Sequence, residues 1–126
     1  FAGVIANASL PDYYRSADLY ISASHSDGSS VSLLEAMACG LPSVVSNIPG
    51  NMEWVEHGET GWSFADGAVE KLTQGIFTAV QHKGNLKSMG QIARDVVEAR
   101  ADWNKNSPKM IEAYQMAIEY ANRRVM

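Results

Sequence analysis

The chain has 126 residues, 46% of them hydrophobic and 19% charged, one domain's worth of sequence with enough apolar material for a core without disulfide or metal staples. Its formal charge is −4 and no Lys/Arg block stands out, which excludes the phosphate-neutralising stripe of a nucleic-acid-binding protein. The single cysteine, Cys39, provides neither a disulfide framework nor a metal cluster and fits a reducing compartment. No apolar run reaches the ~18–20 residues of a membrane span, and no signal-peptide pattern is read within these residues.

In chain order, Phe1–Ile5 is short and apolar and reads as a strand. Because the first residue already lies in a strand, the chain is expected to be an excised or processed piece of a longer protein. Leu10 to Ala17, with Pro11 near its start, reads as one or two helical turns. Asp18 to Ser24 is a second strand, followed by the polar loop His25-Ser26-Asp27-Gly28-Ser29-Ser30. A helix is predicted from about Ser30 to Cys39, with Gly40 as its stop and Pro42 just beyond. It is apolar nearly all round, so it is expected to be buried, with Cys39 as a small packing residue. Pro42 to Ser46 is a third strand, and Trp62 to Phe64 a short extended piece after a connection rich in Gly, Asn, Pro and acids.

The second half is helical. Val69, Leu72, Ile76, Phe77 and Val80 fall at helical spacing, with Gly84 ending the run. Leu86, Met89, Ile92, Ala93, Val96 and Val97 form a second stripe. Ser107-Pro108 signals the start of a last helix bearing Met110, Ile111, Tyr114, Ala117 and Ile118. Strands alternating with helices, then helices alone, define an α/β class with a parallel sheet flanked by helices and ending in C-terminal helices. Three strands make a thin sheet, and further strands are expected on its N-terminal side. Residues 1–65 are expected to form the α/β core and residues 66–126 the C-terminal helices.

Ligands of open parallel sheets bind beyond the carboxyl ends of the strands. Two loops leave such ends: His25 to Ser30, and Asn47 to Gly61. The first runs into a helix whose backbone N–H groups at Gly28, Ser29, Ser30 and Val31 face outward at its positive end, where phosphate is favoured. An ordinary capped helix accounts for the same residues. Asp27 lies in that loop and Glu35 one turn into the helix, leaning back toward the same mouth. Glu35 reads equally as one half of a structural salt bridge or backbone hydrogen bond, and as an acceptor for ligand hydroxyls. In the second loop Gly50 and Asn51 suit a tight turn before a short helix, with Glu53 in its first turn. His25, His57 and His82 read as isolated, and no HxH, HExxH or CxxC spacing occurs, so no metal is expected.

The run from Asp27 through Val45, containing Leu33-Leu34-Glu35-Ala36-Met37-Ala38-Cys39-Gly40-Leu41-Pro42, strongly resembles the group 1 (family 4) glycosyltransferases, whose signature is an acid, seven residues, then Glu. The surroundings agree: Gly3 and Ile5, then Leu10, Tyr13, Tyr14, Ala17, Asp18, Leu19, Ile21 and Ser24 resemble the family's preceding segment, and Gly50, Glu53, Val55, Gly58 and Gly61 the following one. The resemblance is close over about residues 1–65 and loose beyond.

It implies a partial Rossmann-like domain, the C-terminal half of the donor-binding domain of a two-domain GT-B enzyme. It also implies retention of anomeric configuration without a metal or other cofactor, the donor being a UDP- or GDP-sugar. The position matching Glu35 accepts hydrogen bonds from ribose hydroxyls, and that matching Asp27 contacts the donor sugar. The N–H groups at Gly28, Ser29, Ser30 and Val31 approach the sugar and diphosphate, while Ile5, Gly50, Asn51 and Glu53 are secondary positions. The chain departs from the pattern at Asp27, where the family usually has Glu, and at Ser29 and Ser30, where Phe and Gly are usual. Expected partners are the nucleotide sugar and a GT-B N-terminal domain not contained in these residues. The helix from Pro108 resembles the one that packs on that domain, which leaves this chain open to self-association. Cytoplasmic localisation, with peripheral attachment of the full-length enzyme to the inner membrane face, follows from where such donors occur. The expected role is polysaccharide, glycolipid or lipopolysaccharide synthesis, with the isolated chain inactive. Two other classes remain open at this point: a GT-B-fold sugar-nucleotide epimerase, and a degenerate module used for assembly.

Overall fold

The computed structural model describes residues 1–124. Its elements run α1 (Leu10–Ser16), β1 (Tyr20–Ser22), α2 (Val31–Ala38), β2 (Ser43–Ser46), α3 (Pro49–Met52), β3 (Gly61–Phe64), α4 (Val69–Gln81), α5 (Leu86–Arg100) and α6 (Trp103–Arg124). The three strands form one parallel sheet in the order β1-β2-β3, with Tyr20 opposite Ser43 and Ser43 opposite Gly61. This is the α/β class expected from the alternation of elements.

The central strand β2 is buried at every position, as a parallel strand covered on both faces must be. Its two valines serve opposite faces. Val45 packs with Leu33 and Met37 of α2, Trp54 and Val55, and Ala93 and Val97 of α5. Val44 packs with Trp62 and Phe64 of β3, Ala79 of α4 and Met89 of α5. Gly90 lets α5 lie against the end of α2, since a Cβ there would strike the carbonyl of Gly40. Gly40 itself has φ +80°, a left-handed stop to α2 that glycine adopts without strain.

Several expectations are corrected. Phe1–Ile5 is not a strand: it pairs with nothing among the described residues, Gly3 turns the backbone to φ +69°, and Phe1 and Val4 are fully exposed. Apolar composition alone does not make a strand, because its backbone groups need a ladder partner. In α4 only Leu72, Ile76 and Ala79 turn inward, while Val69, Phe77 and Val80 are exposed. In α2, Val31 is exposed although the helix was expected to be buried all round, and Cys39 is half-buried.

The last helix starts five residues before the predicted Ser107-Pro108 boundary. Asp102 starts it: Oδ1 accepts from the Asn104 N–H at 2.9 Å, and its carbonyl accepts from Asn106 N–H at 3.0 Å. Pro108 therefore lies inside α6. Lys105 and Asn106 reach back to cap the end of α5, donating to the carbonyls of Glu98 and Arg100, each at 2.7 Å. From Pro108 onward α6 is exposed throughout its described length, including Met110, Ile111, Tyr114, Met116, Ile118 and Tyr120.

Candidate functional site

The loops that leave the carboxyl ends of the three strands are knitted to one another. Ser46 Oγ at the end of β2 donates to the carbonyl of Ser24 after β1, at 2.5 Å. Asn47 N–H donates to the carbonyl of Phe64 at 2.8 Å, and Asp66 N–H donates to Asn47 Oδ1 at 2.9 Å. His25 Nδ1 lies 2.7 Å from Asp66 Oδ1, so His25 is not isolated as its sequence context implied. His57 Nδ1 accepts the Ser63 N–H at 3.0 Å, and His82 Nδ1 is 2.8 Å from the Thr78 carbonyl.

The loop bearing Asp27, Gly28 and Ser29 rests on α3. A Cβ on Gly50 would overlap the Gly28 carbonyl and lie 2.7 Å from that of Asp27, so the two backbones meet where only glycine fits. Ser29 Oγ donates to Glu53 Oε2 at 3.4 Å. Glu53 caps the carboxyl end of α3, not the first turn predicted, because Pro49 already occupies the helix start. Arg100 of α5 holds it there: the guanidinium donates to the Glu53 carbonyl at 2.8 Å, lies 3.9 Å from its carboxylate, and stacks 4.5 Å over the Trp54 ring. Gly50 and Asn51, predicted as a tight turn ahead of the helix, lie inside α3, and Asn51 is buried. Its Nδ2 donates to the Ser46 carbonyl at 2.9 Å, while its Oδ1 meets no donor among the described residues.

The amino end of α2 opens beside this loop. Ser30 occupies the cap position in extended backbone, yet its side chain makes no capping hydrogen bond, and no acid lies in the first turn. Its Oγ instead lies 3.3 Å from Ser32 Oγ. The first-turn N–H groups are thus free of a capping side chain, the polarity that favours an anion. One turn on, about 6 Å along the axis at 1.5 Å per residue, sits Glu35. Among the described residues it makes neither the salt bridge nor the backbone bond considered for it. Oε2 accepts from the hydroxyl of Tyr14 of α1 at 3.2 Å. The two side chains line an open cavity of about 300 Å³ with Asn7, Leu10, Pro11 and Cys39. Burial, then the charge of Glu35 and the hydrogen bond to it, push the Tyr14 phenol up to about 12, so it stays a neutral donor. Tyr14 went unnoticed as a site residue, since the contact joins positions far apart in sequence. Ile5 is half-buried ahead of this cavity and does not line it.

The sheet order defines an α/β domain, and the anion-favouring helix end and adjoining carboxylates form its candidate site at the carboxyl edge of the parallel sheet. The sequence profile of the family described as "Glycosyl transferases group 1" matches residues 1–96, and the chain belongs to that family. Among curated proteins it is 31% identical over 114 residues to a D-inositol 3-phosphate glycosyltransferase of Gordonia bronchialis, covering 90% of this chain and 25% of that protein. It is 30% identical over 122 residues to the sulfoquinovosyl transferase of Arabidopsis thaliana, covering 94% and 24%. The chain thus spans about a quarter of the length of these relatives.

Among solved structures, the sucrose-phosphate synthase of Thermosynechococcus elongatus superposes with a TM-score of 0.90 at 25% identity, over 95% of this chain and 30% of that one. The Anabaena protein HepE in complex with UDP-glucose superposes with a TM-score of 0.79 at 25% identity, over 87% and 30%. Among the described residues, no helix is long and apolar enough to cross a membrane.

Proposed function

We propose that this chain is the donor-holding part of a retaining glycosyltransferase, with a UDP- or GDP-sugar as its ligand. The observation that carries this is the uncapped amino end of α2 with the half-exposed carboxylate of Glu35 one turn along the same helix. A nucleoside diphosphate sugar needs both features: N–H donors for the diphosphate and a carboxylate for the ribose hydroxyls. That HepE was solved with UDP and with UDP-glucose supports a nucleotide sugar as the class of ligand.

Each residue then has a task. The N–H groups of Ser29, Ser30 and Val31 receive the diphosphate, and Gly28 lets it approach the backbone. As the sugar departs, negative charge builds on the phosphate, and fixed donors at a helix end stabilise it. Glu35 accepts from the ribose. Asp27 contacts the sugar, with Gly50, Asn51 and Glu53 shaping that side through their contacts with Gly28, Ser46 and Ser29. No resident metal enters this scheme. Residues 1–65 hold the donor and α4 and α5 of the C-terminal part brace them, while the acceptor is bound by a second Rossmann-like domain of the whole protein. The product belongs to polysaccharide, glycolipid or lipopolysaccharide synthesis on the cytoplasmic side of the membrane. The 126-residue chain alone binds donor weakly at best and transfers nothing.

Ligand-observed NMR titration with UDP, GDP, UDP-glucose and GDP-mannose tests this. Wild type is expected to bind one nucleotide class, and Glu35→Ala to weaken it more than tenfold, since loss of a charged hydrogen-bond acceptor costs roughly 1.5–3 kcal/mol. Equal binding by the two proteins would remove Glu35 from the site, and sugar transfer by the isolated chain would overturn the division of labour between domains.

A further inference from the structure

The opposite end of the sheet carries a second concentration of charge. Asp18 and Pro42 precede β1 and β2, so the groove they help to line lies at the amino edge of the parallel strands, away from the loops described above. Its volume is about 470 Å³. Arg15 of α1, Lys83, and Lys87 and Arg94 of α5 surround it, with Asp18 as its one acidic lining residue. The chain as a whole has 14 acids against 10 Lys/Arg, so four cations facing one acid reverses the overall balance.

The cations are not equivalent. Arg15 is paired with Asp12 at 2.9 Å and Arg94 with Glu98 at 2.6 Å. Neither Lys83 nor Lys87 pairs with a carboxylate among the described residues. Two unpaired ammoniums and two guanidiniums line one groove, so an anion bound there is favoured by every one of them. A phosphoryl dianion matches this arrangement. It takes several charge-assisted hydrogen bonds at once, from compact ammonium charges and planar guanidinium forks alike. The groove is larger than a phosphate, and Gln91 and Asp18 supply amide and carboxylate partners for hydroxyls on whatever carries it.

We propose that the groove bounded by Arg15, Lys83, Lys87 and Arg94 is a second binding site, for a phosphoryl group borne on a hydroxylated carrier, either a soluble phosphomonoester or a lipid headgroup. Because it lies at the other edge of the sheet, it is separate from the donor and stands whether or not the donor assignment holds.

The test is backbone NMR on the 15N-labelled chain, titrated with glycerol 3-phosphate and, at matched ionic strength, with sodium chloride. Saturable shifts are expected at Cys39, Gly40, Lys83, Leu86 and Lys87 with glycerol 3-phosphate only. In the double variant Lys83→Gln, Lys87→Gln they should require at least fivefold more ligand. The same shifts with sodium chloride, or shifts confined to Gly28–Val31, would overturn the proposal. The chloride comparison on wild type decides even if the double variant fails to fold. Co-sedimentation with phosphatidic acid vesicles in phosphatidylcholine, lost in the double variant, identifies a headgroup as the source. Solution binding without co-sedimentation identifies a soluble phosphomonoester.

Discussion

The hydroxyl of Tyr14 donates to Glu35 Oε2 across 3.2 Å, joining two helices through the one acid of α2. In the free protein this contact occupies part of the carboxylate proposed to receive a ligand. A carboxylate has room for further donors on its second oxygen and remaining lone pairs, so the phenol orients Glu35 without blocking it. Tyr14→Phe is therefore expected to leave nucleotide affinity within about threefold, whereas Glu35→Ala lowers it more than tenfold. Titration of the two variants side by side separates these roles, and equal losses would make Tyr14 a direct ligand contact.

The same pair has a signature in pH. The phenol is raised from about 10 to about 12, so the neutral form is favoured in the folded chain. A raised folded value stabilises fully below the unfolded one. That contribution is lost as pH rises from about 10 through about 12, where the unfolded chain gives up its proton first. The pair is only part-buried, so solvent screening keeps the contribution small. Glu35→Gln removes the neighbouring charge and is expected to bring the Tyr14 titration down, read by NMR of 13C-labelled tyrosine. An unmoved midpoint would assign the shift to burial alone.

Two glycines distinguish close approach from chain flexibility. Gly50→Ala places a methyl group on the carbonyls of Gly28 and Asp27, backbone atoms that cannot step aside without moving the loop. A loss of roughly 1–3 kcal/mol is expected, with amide shifts at Gly28 and Ser29. Gly84→Ala meets nothing within 4 Å and its φ is not in the left-handed region, so it should be neutral or slightly stabilising. Denaturant unfolding of both variants checks the contrast, and equal losses would refute it.

Asn51 ties the second loop to β2. Replacing it with Ala removes the donor to the Ser46 carbonyl in a buried setting, at an expected cost of about 1–3 kcal/mol. Asn51→Asp should cost more, because it places an acceptor-only group against that carbonyl. Thermal unfolding orders the three proteins, and an Asp variant as stable as wild type would contradict the assigned amide orientation.

Arg100→Ala releases Glu53 and uncovers Trp54. The ion pair is long and half-exposed, worth about 0–1 kcal/mol, and the stacking adds roughly 0.5–1 kcal/mol. The loss should stay below about 2 kcal/mol and shrink only in part at high salt, because stacking is screened less than the ion pair. Urea unfolding at low and high ionic strength measures this, and complete loss of the effect in salt would leave no role for the ring.

What local pattern governs was legible. The apolar run at Val44-Val45, the Gly40 stop and the helix carrying Leu86 through Val97 appear as expected, except that Ile92 of that stripe faces solvent. Most of the misses depend on partners distant in sequence. Phe1–Ile5 has strand composition and nothing beside it to complete a ladder. The Glu35–Tyr14, His25–Asp66 and Glu53–Arg100 contacts join different elements, and no periodicity encodes them. The cap signal at Ser107-Pro108 competed with Asp102, which starts the helix earlier and leaves proline inside it. At the site, the positions of Asp27, Gly28, Ser29 and Glu35 followed from strand-end loops and helix polarity, whereas the burial of Asn51 did not.

The order β1-β2-β3 places every strand beside its neighbour in the chain, so no later segment has to be threaded between earlier ones. Each ladder closes over a short stretch, Tyr20 to Ser43 and Ser43 to Gly61, which keeps loop-closure entropy low. A polypeptide emerging from the ribosome can therefore add β2 to β1 and β3 to β2 in the order in which they are made. The final fastening is α5: only when Ala93 and Val97 reach Leu33 and Met37 is the first face of the sheet sealed. Chains halted before residue 97 would carry β1, β2 and β3 with that seam still open to water.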